Sequence, residues 1–310
     1  MAWPFRGELR LPSRSRGRGP TAGVPPGAPH AGERAGRHCR GEAALSGRSP
    51  LPRGERRRLG ILTGSGPRAG LDLLDKILRA HEALLGADFQ GDKDAPYVAS
   101  LSAPQVGGPH GSWDTLPDSD GYESLSLAVR DAVLTLAPLV DYLCLACNTL
   151  HRFQPQIEAL LKERGLSCRF VSIVDTTVQW CSRHGVKEVS ILGSRLTADV
   201  RGGSPYAAMG RAGFRLAELP EEAVRGQQLA LEQIKQLGAS ADAPRELLQA
   251  AVDAAEAGTL VLACTEFPLV NIQTSKTLVD PTALLAQKMA SLALGMEDEE
   301  SNVEGVASKL

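Results

Sequence analysis

Two cysteines carry most of the chemistry legible in this chain. Cys147-Asn148-Thr149-Leu150-His151 follows the apolar run 142–146, and Cys264-Thr265-Glu266-Phe267-Pro268 follows the apolar run Thr259–Ala263. A thiol works as an acid or base only where it ionises near neutral pH. Free cysteine titrates at about 8.5, and a helix N-terminus or a turn rich in N–H donors lowers that. Both motifs place the cysteine where a buried strand gives way to a polar turn. That is the carboxyl edge of a sheet, where open α/β folds hold their ligands.

Two such thiols on opposite sides of one carbon remove a proton from one face and return one to the other, which inverts a stereocentre without a cofactor. The same pair supports removal of a proton alpha to a carboxylate followed by loss of a beta substituent. Asn148, Thr149 and Thr265 offer donors suited to a substrate carboxylate, while His151 and Glu266 read as auxiliary acid/base groups that tune the thiols or shuttle protons. Bland readings stand beside these. A single strand-end cysteine is more often a small buried hydrophobe, His151 could cap the following helix, and Glu266 could be a surface charge. Cys144, Cys168 and Cys181 read as core residues. The spacing Cys144-x-x-Cys147-x3-His151 would allow three metal ligands, but residues three apart on a strand face opposite ways, so no metal site is expected.

The elements that must position these motifs alternate strand and helix. Expected strands lie at 59–63, 97–101, 142–146, 170–174, 188–192, 259–263 and 277–279, with helices over 71–85, 122–136, 157–164, 175–184, 203–212, 221–237 and 244–256 and from Pro281 onward. Asp175 reads as an N-cap and Pro281 as a first-turn residue. The long Gly/Pro/Asp-rich segment 103–121, with His110 and Trp113, reads as a candidate lid or an ordinary packed loop. Alternation of this kind predicts an α/β fold: two pseudo-symmetric α/β domains with mainly parallel sheets, helices on both faces and the active site in the cleft between them. The expected division is 58–173 plus 280–295 for the first domain, 174–279 for the second, and a flexible tail over 296–310.

The 310 residues carry a net charge of −2, unevenly spread: residues 1–57 hold twelve Arg and four Glu, leaving the remainder acidic. A mildly acidic body argues against nucleic acid as a partner, and no apolar run reaches membrane-spanning length. The Arg/Pro/Gly-rich segment 1–57 has little apolar periodicity and reads as disordered. It fits an organellar transit peptide, a solvated tail or a start placed too far upstream, so the expected location is the cytoplasm or, with import, a plastid or mitochondrion. Six cysteines without a secretory signal read as free thiols.

Taken together, the two cysteine motifs resemble the paired signatures of the aspartate/glutamate racemase superfamily over residues 58–295. Gly60-Ile-Leu-Thr-Gly64-Ser65-Gly-Pro67 is similar to the family's first glycine-rich loop, and Gly193-Ser-Arg-Leu-Thr197 with Ser204-Pro-Tyr206 is similar to its substrate loop. The ending Val279-Asp-Pro-Thr-Ala283 is similar to its last strand and helix. The resemblance implies that Cys147 and Cys264 are opposed acid/base thiols and that Asn148, Thr149, Thr265, Gly64, Ser65 and Thr197 hold a small carboxylate substrate. It implies no cofactor, no metal and a homo-oligomer. The chain departs from aspartate-specific members in its Thr63-Gly-Ser-Gly-Pro67 loop and in Ala103-Pro-Gln-Val-Gly-Gly-Pro-His110, which lacks an Asp-Arg-Thr type segment. Racemisation of an acidic amino acid is the leading expectation. A superfamily lyase cleaving dimethylsulfoniopropionate to dimethyl sulfide and acrylate is the alternative. A maleate isomerase or arylmalonate-type decarboxylase, or a homologue that binds ligand without turnover, stands behind these two.

Overall fold

The computed structural model describes residues 49–108, 111, 115–116 and 119–296. His110 and Trp113 of the expected lid, and residues 297–310, lie outside them. The described residues fall in one compact unit that contains both sheets.

The first sheet begins with β1 (Leu59–Thr63), whose five residues are all buried. Such a near-continuous apolar run suits a parallel strand covered on both faces. The chain turns at Gly64, where φ is +141° and a Cβ would fall 2.0 Å from the Ala103 carbonyl oxygen, so only glycine fits. Helix α1 (Pro67–Leu85) follows with Pro at its first position. It starts four residues before the expected 71–85, because Pro at N1 is preorganised for the first turn. Then come β2 (Val98–Ser102), α2 (Tyr122–Leu136), β3 (Tyr142–Leu145), α3 (Gln154–Glu163) and β4 (Arg169–Val171).

Next comes α4 (Ile173–Arg183), and here the expected boundary is corrected. Ser172, not Asp175, caps this helix, its side chain accepting the Asp175 N–H. The β-branched Ile173-Val174 pair, expected to end a strand, forms the first helical turn with both residues buried, so packing overrides β propensity. The second sheet is built from β5 (Glu188–Gly193), α5 (Arg195–Ala198), α6 (Ala207–Arg211), β6 (Arg215–Leu216), α7 (Glu221–Leu237), α8 (Asp242–Ala254), β7 (Thr259–Ala263) and β8 (Thr277–Val279), and α9 (Pro281–Ala293) closes the chain.

The sheets have the same strand order, β2-β1-β3-β4 and β6-β5-β7-β8, and every pairing is parallel. The first two strands of each sheet therefore run outward on one side and the third lies on the other. This leaves a topological switch point between β1 and β3 and another between β5 and β7. One apolar core joins the two sheets: Ile61 and Cys144 share it with Ile191, Val261 and Met289. Helix α9 is buried on nearly every side and packs on α1 and α4. Each of its fully covered Leu and Met side chains contributes about 1.5–3 kcal/mol.

The segment expected to stay unstructured through residue 57 is held from Leu51 on. Leu51 N–H donates to Leu294 O, Arg57 N–H donates to Ala293 O, and both Arg53 and Arg56 pair with buried Asp94. Its arginines have an internal anion to meet, which composition alone does not reveal. Among the described residues no helix is long and apolar enough to cross a membrane.

Candidate active site

Cys147 follows β3 and Cys264 follows β7, the equivalent strands of the two sheets. Both lie at the switch points, and both line one cavity with about 240 Å³ of open space. Ser65, Asn148 and Thr149 complete its wall on the first-sheet side, and Thr265 and Glu266 on the second. Lys235 and Leu231, one turn apart on α7, close it.

The local geometry follows from the turns. After β3, Asn148 is already helical and residues Thr149–Phe153 make a 3-10 turn, which brings the Leu150 N–H back toward the Cys147 sulfur. After β7, the turn at Glu266 leads into Phe267–Leu269 with Pro inside it. Cys264 Sγ donates to Glu266 Oε2 at 3.2 Å and Thr265 Oγ1 donates to the same oxygen at 3.0 Å. Glu266 also reaches the first glycine-rich turn. Gly66 has φ +149°, and a Cβ there would fall 2.3 Å from Glu266 Oε1.

Polar turns were expected to lower both thiols, but burial outweighs them. Burial pushes the Cys147 thiol up, and the Glu266 charge adds to it, against the Leu150 N–H, the Lys235 charge and the Ser65 side chain. Cys264 rises well above the ordinary thiol range through burial and then through the adjacent Glu266 carboxylate, with Lys235 opposing. The two thiols share a cavity and the charges of Glu266 and Lys235, and differ in that Cys264 donates to Glu266.

Three residues expected at the site do not line it. Gly64 shapes the turn behind Ser65. Thr197 is fully buried and spends its hydroxyl in a triangle, 3.0 Å from Thr149 Oγ1 and 2.9 Å from Ser194 Oγ, with Thr149 and Ser194 also 3.0 Å apart. It braces Thr149 from beneath. His151, expected as an auxiliary acid/base group or a helix cap, sits outside the cavity wall and bridges two backbone groups. Its Nε2 accepts the Ile173 N–H at 3.1 Å, which leaves the ring proton on Nδ1 to donate to Cys147 O at 2.8 Å. Burial lowers its pKa to about 4. The neutral ring ties the Cys147 turn to the start of α4. The metal reading of Cys144-x-x-Cys147-x3-His151 fails likewise, since Cys144 Sγ donates to Gly60 O at 3.4 Å inside the core.

Lys235 is not marked by the sequence as a site residue. A lysine in the last turn of an amphipathic helix is what helix electrostatics alone favours, so nothing in its spacing marks it as a cavity residue.

Comparison with known proteins gives the family and the fold. Residues 62–289 match the family described as Asp/Glu/Hydantoin racemase. The broad specificity amino-acid racemase RacX of Bacillus subtilis is 27% identical over 140 residues, which cover 45% of this chain and 55% of RacX. The chain thus spans about half the length of that curated relative. Among solved structures, a putative Asp/Glu racemase from Yersinia pestis superposes with a TM-score of 0.59 at 19% identity, covering 77% of this chain and 99% of its own. The aspartate racemase of Picrophilus torridus superposes with a TM-score of 0.59 at 19% identity, covering 76% of this chain and 94% of its own.

Proposed function

Because the chain belongs to the Asp/Glu/hydantoin racemase family, we propose that it racemises a small amino acid, acidic ones first among candidates, with Cys147 and Cys264 as the two acid/base groups. The observation that carries this reading is that the thiols end equivalent strands of two like-ordered sheets and line the same cavity. One thiolate removes the alpha proton from one face and becomes a thiol. The other thiol donates its proton to the opposite face and becomes the thiolate, so charge and protons balance over a turnover.

Lys235 supplies the cationic charge a substrate carboxylate needs, and the turn N–H groups with the Asn148 amide and Thr149 supply donors. Neutralising the carboxylate stabilises the carbanion that forms beside it. Glu266 keeps the Cys264 proton in place, and Cys147, raised less far, is the thiol that ionises when substrate binds, with Cys264 its partner acid. A substrate ammonium entering next to the thiolate offsets the burial that raises it. The reaction written this way uses only the chain's own groups.

The test is incubation in deuterated water with L-aspartate, L-glutamate and dimethylsulfoniopropionate, followed by NMR and chiral separation. Loss of the alpha-proton signal with appearance of the D-enantiomer supports the proposal. Vinyl signals from dimethylsulfoniopropionate would assign a lyase instead. Binding of the amino acids without exchange would leave a non-catalytic homologue.

A further inference from the structure

We infer that Tyr206 is a positioning residue for carboxylate binding that acts through Asn148, an inference that rests on the proposed racemase reading only for the identity of the substrate. Tyr206 belongs to the segment between α5 and α6 of the second sheet, and its side chain is completely buried. Its hydroxyl crosses to the first sheet and donates to Asn148 Oδ1 at 2.7 Å. Burial pushes the phenol far above its ordinary range, so it remains a donor at every working pH.

A side-chain amide offers one acceptor oxygen and one NH2 donor group, and which way it faces follows from its partners. With Oδ1 held by a permanent donor, Nδ2 must face elsewhere. Asn148 lines the cavity, and its Nδ2 is buried with no hydrogen-bond partner. An unpaired buried N–H is costly and is best satisfied by an anionic oxygen. The phenol thus presets Asn148 to show the cavity a donor. The ring itself is anchored: Tyr206 N–H donates to Ser204 Oγ at 3.1 Å, and Ser204 Oγ donates to Thr197 O at 2.5 Å. Without the hydroxyl, the amide is free to turn its oxygen toward a carboxylate and repel it.

The experiment compares the full chain with Tyr206→Phe in two measurements: the Kd for malonate as a non-reacting dicarboxylate, by calorimetry, and steady-state racemisation of L-aspartate. Malonate Kd and substrate KM should both rise about tenfold or more, with kcat within a few fold. Unchanged Kd and KM in the folded variant would overturn the inference, as would a loss confined to kcat. Asn148→Asp covers the case in which Tyr206→Phe does not fold. It keeps an acceptor for the phenol but shows the cavity no amide donor, so it should weaken malonate at least as much; wild-type affinity there would also overturn the inference. If Tyr206→Phe weakens malonate while no amino acid exchanges its alpha proton, the racemase reading falls and the role of Tyr206 stands.

Discussion

Cys264 Sγ donates to Glu266 Oε2 at 3.2 Å, so the second thiol shares its hydrogen with a carboxylate two residues on. Cys147, its counterpart on the equivalent strand, receives the Leu150 N–H instead. Strand order makes the two positions alike and side-chain charge makes them different. The resting proton belongs on Cys264.

Replacing Glu266 by Gln removes an anion that raises both thiols. Thiolate formation, followed by ultraviolet absorbance, should shift to lower pH, more for Cys264 than for Cys147. An unshifted titration would show that the carboxylate does not hold the thiol.

Cys147→Ala and Cys264→Ala should each lower racemisation by about a thousandfold, with melting temperatures close to that of the parent. Inversion measured by chiral chromatography decides the matter, since full turnover by either variant rules out a two-base scheme.

His81 and His151 are both almost completely buried, and burial lowers each to about 4 from an ordinary 6.5. The unfolded chain therefore binds protons that the folded one refuses between those values. Stability is intact above pH 6.5 and is lost as pH falls toward 4, by an upper limit of about 3 kcal/mol per histidine. Neither ring nitrogen of His81 has a hydrogen-bond partner. His81→Leu should flatten the acid side of a melting-temperature profile without lowering stability at neutral pH. An unchanged acid slope would exclude His81 as a source.

Gly66→Ala combines a left-handed backbone with a collision at Glu266 Oε1, 2.3 Å from the added carbon. The strain costs about 1–3 kcal/mol. Displacement of Glu266 should reduce activity at least about tenfold beyond what the loss of stability explains. Activity equal to wild type in a destabilised protein would separate the turn from the site.

Most of the architecture is legible in the sequence. The apolar runs at Leu59–Thr63 and Thr259–Ala263 lie as strands at the expected positions, because a parallel strand buried on both faces has to be apolar throughout. The start of α4 is not legible locally because Ile173 and Val174 favour strands, whereas Ser172 offers a better cap and both side chains find the core. The place of His151 is not legible for another reason. Its type and place beside Cys147 are those of a proton carrier, and its role is set by the Ile173 N–H, 22 residues along the chain.

From its sequence alone this chain determines the alternation of strands and helices, the repeat of a strand-end thiol, and the polar turns after each. Those are local consequences of residue type and spacing. Tertiary structure decided what the turns face: Lys235 from α7 at the cavity, Thr197 beneath Thr149, and Tyr206 against Asn148. Proximity, burial and charge between residues many positions apart depend on how the two sheets pack, and no short stretch of sequence encodes that.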